Sequence, residues 1–231
     1  MAIPLSARLR EGTKDAHFMA EHAPFIRKFF RCELTNEEYR LFLLQLFHLY
    51  SVMEDCQERH RQDRVFGNIW FPVLHRRQAL VEDLNFYFGD ANWAMIPPQP
   101  ATQTYLHHLE ALSDHWVQGL VAHHYTRYLG DLSGGQTLKR LVAKTFQLSS
   151  SEGLAFYEFP LIPDHQQFKG EYRARLDAMP LDEPTCEKIV EEANRAFTLN
   201  REIFDSLLDP SLEFADRNAK ARIPNKGIKF Q

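Results

Sequence analysis

Residues 125 to 138 read Tyr125-Thr-Arg-Tyr-Leu-Gly-Asp-Leu-Ser-Gly-Gly-Gln-Thr-Leu138, a helical pattern interrupted by Gly130, Gly134 and Gly135, three of the ten glycines within six positions. An interior glycine costs a helix about 1 kcal/mol relative to alanine, so the three give up roughly 3 kcal/mol of local preference. Gly130 and Gly134 are four apart and share a face. That face is a strip of bare backbone, able to kink and to let a flat or bulky ligand approach, with Asp131 beside it. Two plainer readings compete: small residues at this spacing let two helices pack closely, and an aspartate beside glycine caps a kink.

Within the same stretch Leu132-Ser-Gly-Gly-Gln136 spells the signature peptide of ABC-type ATPases. That function requires an upstream phosphate loop GxxxxGK[ST]. Gly130 and Gly135 have the spacing, but Gln136 stands where lysine is needed, so the reading fails.

The remainder bounds the class. With 231 residues, 44% hydrophobic and 13% aromatic, the chain holds a sizeable core. Its 27 basic and 31 acidic residues give a net charge of -4, no footprint for nucleic acid. Cys32, Cys56 and Cys186 are odd in number and widely spaced, which argues for packing residues in a reducing compartment. The start lacks the apolar centre of a secretory signal. The most apolar run, Leu41 to Tyr50, contains Gln45 and His48 and is too short to span a bilayer, so the expectation is a soluble chain.

In chain order, Leu5, Leu9, Thr13, Ala16 and Ala20 predict one helix ending before Pro24, with Arg10, Lys14, His17 and Glu21 as a second stripe beside the apolar one. Thr35-Asn-Glu-Glu38 reads as a capping box opening a long helix that runs to Arg64 and stops at Gly67. Pro72 is expected in the first turn of the next helix, closed by Gly89. A loop spans 90 to 99, Tyr105 to Leu112 mark a short helix, and one long glycine-interrupted helix runs from Trp116 to Leu148. The aromatic, proline-bounded run Leu154 to Pro163 is a packed connector. A helix from Asp164 carries Lys169 and Arg173 on a face beside Phe168 and Tyr172, and a last helix covers Glu183 to Leu208. No strand alternation appears. The expectation is a single all-α domain, 1-208, followed by a basic, flexible tail, 209-231.

Three strings, Leu9-Arg-Glu-Gly-Thr-Lys-Asp-Ala-His17 with Ala20-Glu21, Tyr125-Thr-Arg-Tyr-Leu-Gly-Asp-Leu-Ser-Gly-Gly-Gln136, and Phe168-Lys169 with Tyr172-Arg173, resemble haem oxygenase. The likeness runs from Leu5 to Leu208 in the family's order. It implies an all-α fold with haem sandwiched between a proximal helix and a kinked distal helix. His17 matches the iron ligand, and Glu21, one turn on, matches the partner of its second nitrogen. His123 and His124 are rival histidines, expected to pack or to face solvent. Gly130 and Gly134 match the glycines pressed on the porphyrin, and Asp131 matches the residue that anchors water beside iron-bound oxygen. Tyr125 and Thr126 join the cofactor-binding set, and Arg10, Lys169 and Arg173 match the cations that orient the propionates. The charges four apart on the Lys169 helix also fit a solvated face.

The activity so implied opens haem b, substrate and cofactor together, with O2 at a meso carbon, the alpha one, giving biliverdin, carbon monoxide and ferrous iron. Electrons come from outside, since no GxGxxG and no flavin or iron–sulfur pattern occurs. Resemblance to plant, algal and cyanobacterial members implies ferredoxin or another reductase as donor, a downstream bilin reductase as partner, and a cytoplasmic or plastid-stromal location. A haem-binding or sensing protein without turnover is the alternative; the presence of His17, Gly130, Asp131 and Gly134 favours the enzyme. The lack of any Glu-x-x-His pair disfavours a di-iron bundle.

Overall fold

The structure, a computed structural model, describes residues 3–89 and 92–208. Among the described residues there are α-helices and short helical turns and no strand. The expected tail, 209-231, lies outside the described residues.

The central element is α4 (Asn36–Arg59), opened by the expected capping box: Thr35 Oγ1 accepts the Glu38 N–H at 3.1 Å and Glu38 returns a carboxylate oxygen to the Thr35 N–H at 2.9 Å. Such a cap is worth about 1 kcal/mol. Tyr39, Leu43, Leu44, Leu46, Leu49, Tyr50 and Met53 are all buried, and so are Gln45, Glu54 and Gln57, so α4 lies inside the molecule and its polar side chains need partners there. It stops at Arg59, short of the expected Arg64 and Gly67. The Asp63 carboxylate accepts the N–H groups of Val65 and Phe66 at 2.8 and 2.9 Å and turns the chain into a 3₁₀ segment (Phe66–Ile69) instead.

Two further boundaries differ from expectation for similar reasons. Pro72 opens only a 3₁₀ turn (Pro72–Leu74), and α5 (Arg77–Phe88) begins later, because the Glu54 carboxylate of α4 accepts the Arg76 and Arg77 N–H groups at 2.5 and 3.1 Å and supplies the cap from another helix. Gly89, at φ 70°, closes α5 in the left-handed region. The short helix around Tyr105 is a full 16 residues, α6 (Pro100–His115), with proline in its first turn. Gln45 Oε1 fastens its start to α4, accepting from the Gln99 N–H and the Thr102 hydroxyl, both at 2.8 Å.

The single first helix is two, α1 (Leu5–Gly12) and α2 (Lys14–Glu21), broken at Thr13, whose hydroxyl bonds back to the Leu9 carbonyl at 2.7 Å. Gly12 makes the packing close: a Cβ there would lie 2.5 Å from Val190 Cγ1 on α10 (Glu183–Ser206). After α3 (Pro24–Arg31), a cluster of Phe25, Phe29, Phe42 and Phe204 joins it to α4 and α10.

The long glycine-interrupted helix is also composite: α7 (Gly119–His124), one π-helical turn (Tyr125–Leu129) and α8 (Gly130–Thr145). The register shift therefore comes from the wide turn just before Gly130. The connector after it is packed as expected, with Phe156, Tyr157, Phe159 and Ile162 buried. Asp83 of α5 holds it, accepting the Ala155 and Phe156 N–H groups at 2.8 Å each; burial pushes that carboxyl up to about 6. The last described pieces are α9 (His165–Asp177), capped by Asp164, and α10.

His123 and His124 pack, as expected, and both are fully buried. The His124 ring stacks on Tyr172 with its Nδ1 2.7 Å from the Tyr172 hydroxyl, and burial pushes its pKa down to about 3. The unfolded chain then binds one more proton than the folded chain between about pH 6.5 and pH 3, so stability is lost as pH falls through that window. Urea unfolding at stepped pH should show wild type losing about 1.4 kcal/mol per pH unit more than His124→Gln between pH 6 and 4. Equal slopes would contradict the assignment.

Candidate functional site

A cleft of about 370 Å³ opens between α2 on one side and the π turn with the start of α8 on the other. His17 and Glu21 reach it from α2, Thr126, Gly130, Asp131 and Gly134 from the other side, and Phe42, Phe197 and Phe204 form much of the apolar wall. The Phe197 ring meets the His17 imidazole edge-on at 5.4 Å between centroids. His17 Nδ1 lies 3.5 Å from Glu21 Oε2, so the carboxylate sits on the Nδ1 side and Nε2 is the nitrogen left for a ligand. Both side chains are about half exposed, at 52% and 57%.

The glycines are not there for packing within the protein. Beyond its own helix backbone, a Cβ placed on Gly130 or Gly134 would meet nothing within 4 Å, whereas one on Gly135 would touch Tyr157 at 3.6 Å. Gly130 and Gly134 thus hold open space that belongs to the cleft, and the reading of close helix packing fails at both. Beside them Thr126 Oγ1 is buried without a hydrogen-bond partner in the protein. An apolar slot with peptide backbone on one side, an imidazole reaching in from the other, and an unsatisfied hydroxyl fits a flat ring system carrying a metal ion.

Asp131 is 9% exposed, and its burial is compensated. The Tyr50 hydroxyl donates to Oδ2, and the Arg127 guanidinium lies 3.5 Å from Oδ1. Arg127 also donates to the Tyr50 hydroxyl at 3.1 Å and to Asn200 Oδ1 at 2.7 Å. Burial pushes the Asp131 carboxyl above the usual carboxylate range, and Arg127 and Tyr50 draw it part of the way back. Burial likewise opposes the charge on Arg127, but Tyr50 and Asp131 outweigh it. The result is a carboxylate held in place by two partners, with an edge toward the cleft.

Arg10, Tyr125, Lys169 and Arg173 are not among the residues that line this slot. Tyr125 is half-buried; burial raises its phenol pKa while Arg173 and Arg10 lower it, so the two exposed cations stand near its hydroxyl. Lys169 is buried on α9 with Nζ 3.2 Å from Ser133 Oγ of α8, which removes the solvated-face reading for that residue. Arg10 and Arg173 thus form an exposed basic margin beside Tyr125, the neighbour of Thr126 in the chain.

Tyr50, Arg127, Asn200 and Phe197 were missed by sequence reasoning. Arg127 was within reach, four residues before Asp131 in the quoted stretch. Asn200 carries a subtler sign: it occupies the apolar stripe of α10 with Ala193, Ala196 and Ile203, where a polar side chain requires a partner. Nothing local singles out Tyr50 or Phe197 from the other aromatics.

The family model described as "Heme oxygenase" matches residues 3–206. The chain is 43% identical over 209 residues to "Heme oxygenase 2" of Synechocystis sp., covering 89% of this chain and 83% of that protein. It is 42% identical over 203 residues to "Heme oxygenase" of Rhodella violacea, covering 88% and 86%. The crystal structure of heme oxygenase-1 from the cyanobacterium Synechocystis sp. in complex with heme superposes with a TM-score of 0.86 at 40% identity, covering 89% of this chain and 93% of that one.

Because Gly134 costs helix propensity and has room for a methyl, Gly134→Ala should stabilise the ligand-free protein by up to about 1 kcal/mol in urea unfolding. Gly119→Ala should destabilise it, since a Cβ there would lie 2.7 Å from Leu112 Cδ2 and 2.8 Å from Trp116 Cε3. Loss of stability in Gly134→Ala would show that the glycine serves the protein's own packing.

Proposed function

Because the chain belongs to the haem oxygenase family, whose activity and haem substrate it shares, we propose how its own residues divide the work. Haem, when bound, supplies the iron at which dioxygen is activated and the meso carbon that is oxidised on the way to biliverdin, carbon monoxide and ferrous iron. His17 would hold the iron through Nε2, the nitrogen left free, while Glu21 would accept from Nδ1–H, which selects the tautomer and keeps the ring turned. Gly130 and Gly134 offer bare backbone to the other porphyrin face. The single observation that carries this division is the open space at those two glycines in the same cleft as His17.

Asp131 is the polar group that acts on the oxygen side. With one oxygen engaged by Tyr50 and the other 3.5 Å from Arg127, it has acceptor capacity left to orient a water in the slot. Its raised pKa follows from the same burial that excludes bulk solvent, and Arg127 and Tyr50 oppose that rise. The unpaired Thr126 hydroxyl can donate to or accept from the same water. On the other flank Arg10, Arg173 and Lys169, with the Tyr125 hydroxyl, hold the propionates. At the effective dielectric of a protein surface such a pair is worth up to about 4 kcal/mol, so its role would be to orient the ring, and that orientation would favour the alpha meso carbon. The exposed Arg10 and Arg173 also suit an acidic electron donor such as ferredoxin, with affinity that falls as salt rises. Biliverdin then passes to a bilin reductase.

Two measurements test the division. Asp131→Ala, given haem and an electron source, should still bind haem while biliverdin recovered by chromatography falls about a hundredfold; an undiminished yield would remove Asp131 from this role. His17→Ala should still take haem into the slot but lose the imidazole signature in electron paramagnetic resonance. An unchanged ligand signature would place the iron on another residue.

A further inference from the structure

Away from the cleft, three helices bring His108, His123 and Glu192 together, and nothing in the proposed reaction uses them. His108 stands on α6, His123 on α7 and Glu192 on α10. Glu192 Oε1 is 2.6 Å from His108 Nε2 and 2.9 Å from His123 Nε2, and the three atoms lie within 4.8 Å of one another. The His123 ring is fully buried, while the Glu192 and His108 side chains are 12% and 29% exposed. One end of the cluster therefore lies in the core and the other opens to solvent.

We propose that His108, His123 and Glu192 are a binding site for a first-row divalent transition-metal ion, with Zn2+ as the representative member.

Two imidazoles and a carboxylate are the donor set such ions take, in tetrahedral Zn2+ centres with an open fourth position and in ferrous sites. The partly exposed side at His108 leaves that position to water. Both imidazoles already aim Nε2 at one carboxylate oxygen, so an ion can take the place of the N–H protons between them. Each imidazole then carries its proton on Nδ1, and no net proton need leave. For His123 the acceptor of that proton is in place: the Tyr105 hydroxyl lies 2.8 Å from Nδ1, the outer partner that metal-bound histidines ordinarily have. The carboxylate suits the role as well. Burial alone would raise the Glu192 pKa, but hydrogen bonds from His123 and His108 outweigh it, so it is anionic near neutrality. Burial pushes the His123 pKa down, against the pull of Glu192, which favours the neutral imidazole a metal ion takes.

A metal here would tie α6, α7 and α10 to one point. Tyr105 in turn lies 3.5 Å from Asn200 Nδ2, whose other amide atom accepts from Arg127, so the site sits at the far end of the buried polar chain that reaches Asp131.

The test is equilibrium dialysis of the full chain against Zn2+, with and without haem, followed by metal analysis and thermal unfolding. Wild type should take up one saturable Zn2+ beyond haem iron and gain unfolding temperature with it. His108→Ala and the near-isosteric Glu192→Gln should each weaken uptake by at least about tenfold, since even an outer partner is worth that much. His107→Ala, which removes the exposed neighbouring imidazole, should bind as wild type does. With Co2+ as the probe, the visible bands of a nitrogen- and oxygen-ligated ion should appear in wild type and be lost in Glu192→Gln. No saturable uptake by wild type, or uptake unchanged in both His108→Ala and Glu192→Gln, would overturn the site and leave the cluster as a hydrogen-bonded pin between helices.

Discussion

A carboxylate buried beside an apolar slot is expensive, and much of the arrangement around Asp131 follows from meeting that cost. An unpaired ion in such a place would protonate or drag water in with it. Arg127 supplies the opposite charge, but it is itself buried and needs acceptors, which the Tyr50 hydroxyl and Asn200 provide. Tyr50 comes from α4 and Asn200 from α10, so satisfying one side chain of α8 fixes three helices relative to one another. Removing any member leaves another buried polar group without a partner, a larger penalty than the hydrogen bond itself contributes.

Local preference is sacrificed at the same place. The π-helical turn at Tyr125–Leu129 and the glycines at 130 and 134 both weaken a helix, and both lie where the cleft is lined from the distal side. Elsewhere the chain follows ordinary rules: a capping box at Thr35, proline in first turns and a left-handed glycine at the end of α5. Conflict between local rules and the global fold marks a functional segment, because only a gain made by the ligand-bound state compensates for it.

That contrast explains what could be read in advance. The all-α class, the helix starts at Thr35 and Asp164 and the packed connector were legible because periodicity and capping are local properties of the chain. His17, Gly130, Asp131 and Gly134 were legible too, partly from spacing and mainly from family resemblance, and they do line one cleft. What escaped depended on distant partners. The early end of α4 and the late start of α5 are set by the Asp63 and Glu54 carboxylates, and neither signals its role in sequence. The split between α1 and α2 turns on one threonine that looks like any helical residue. Tyr50 and Asn200 gain their meaning only when α4 and α10 converge on Arg127.

The two walls of the slot are built to different standards. The distal one is riveted by ionic and phenolic contacts, whereas α2 has eight residues, no side-chain cap and one buried member, Ala20. A helix that short has little cohesion of its own, and the Thr13 break uncouples it from α1. The wall that carries His17 is therefore the one that buries least of itself, so it is the wall a broad, flat guest can displace with the smallest loss of side-chain packing.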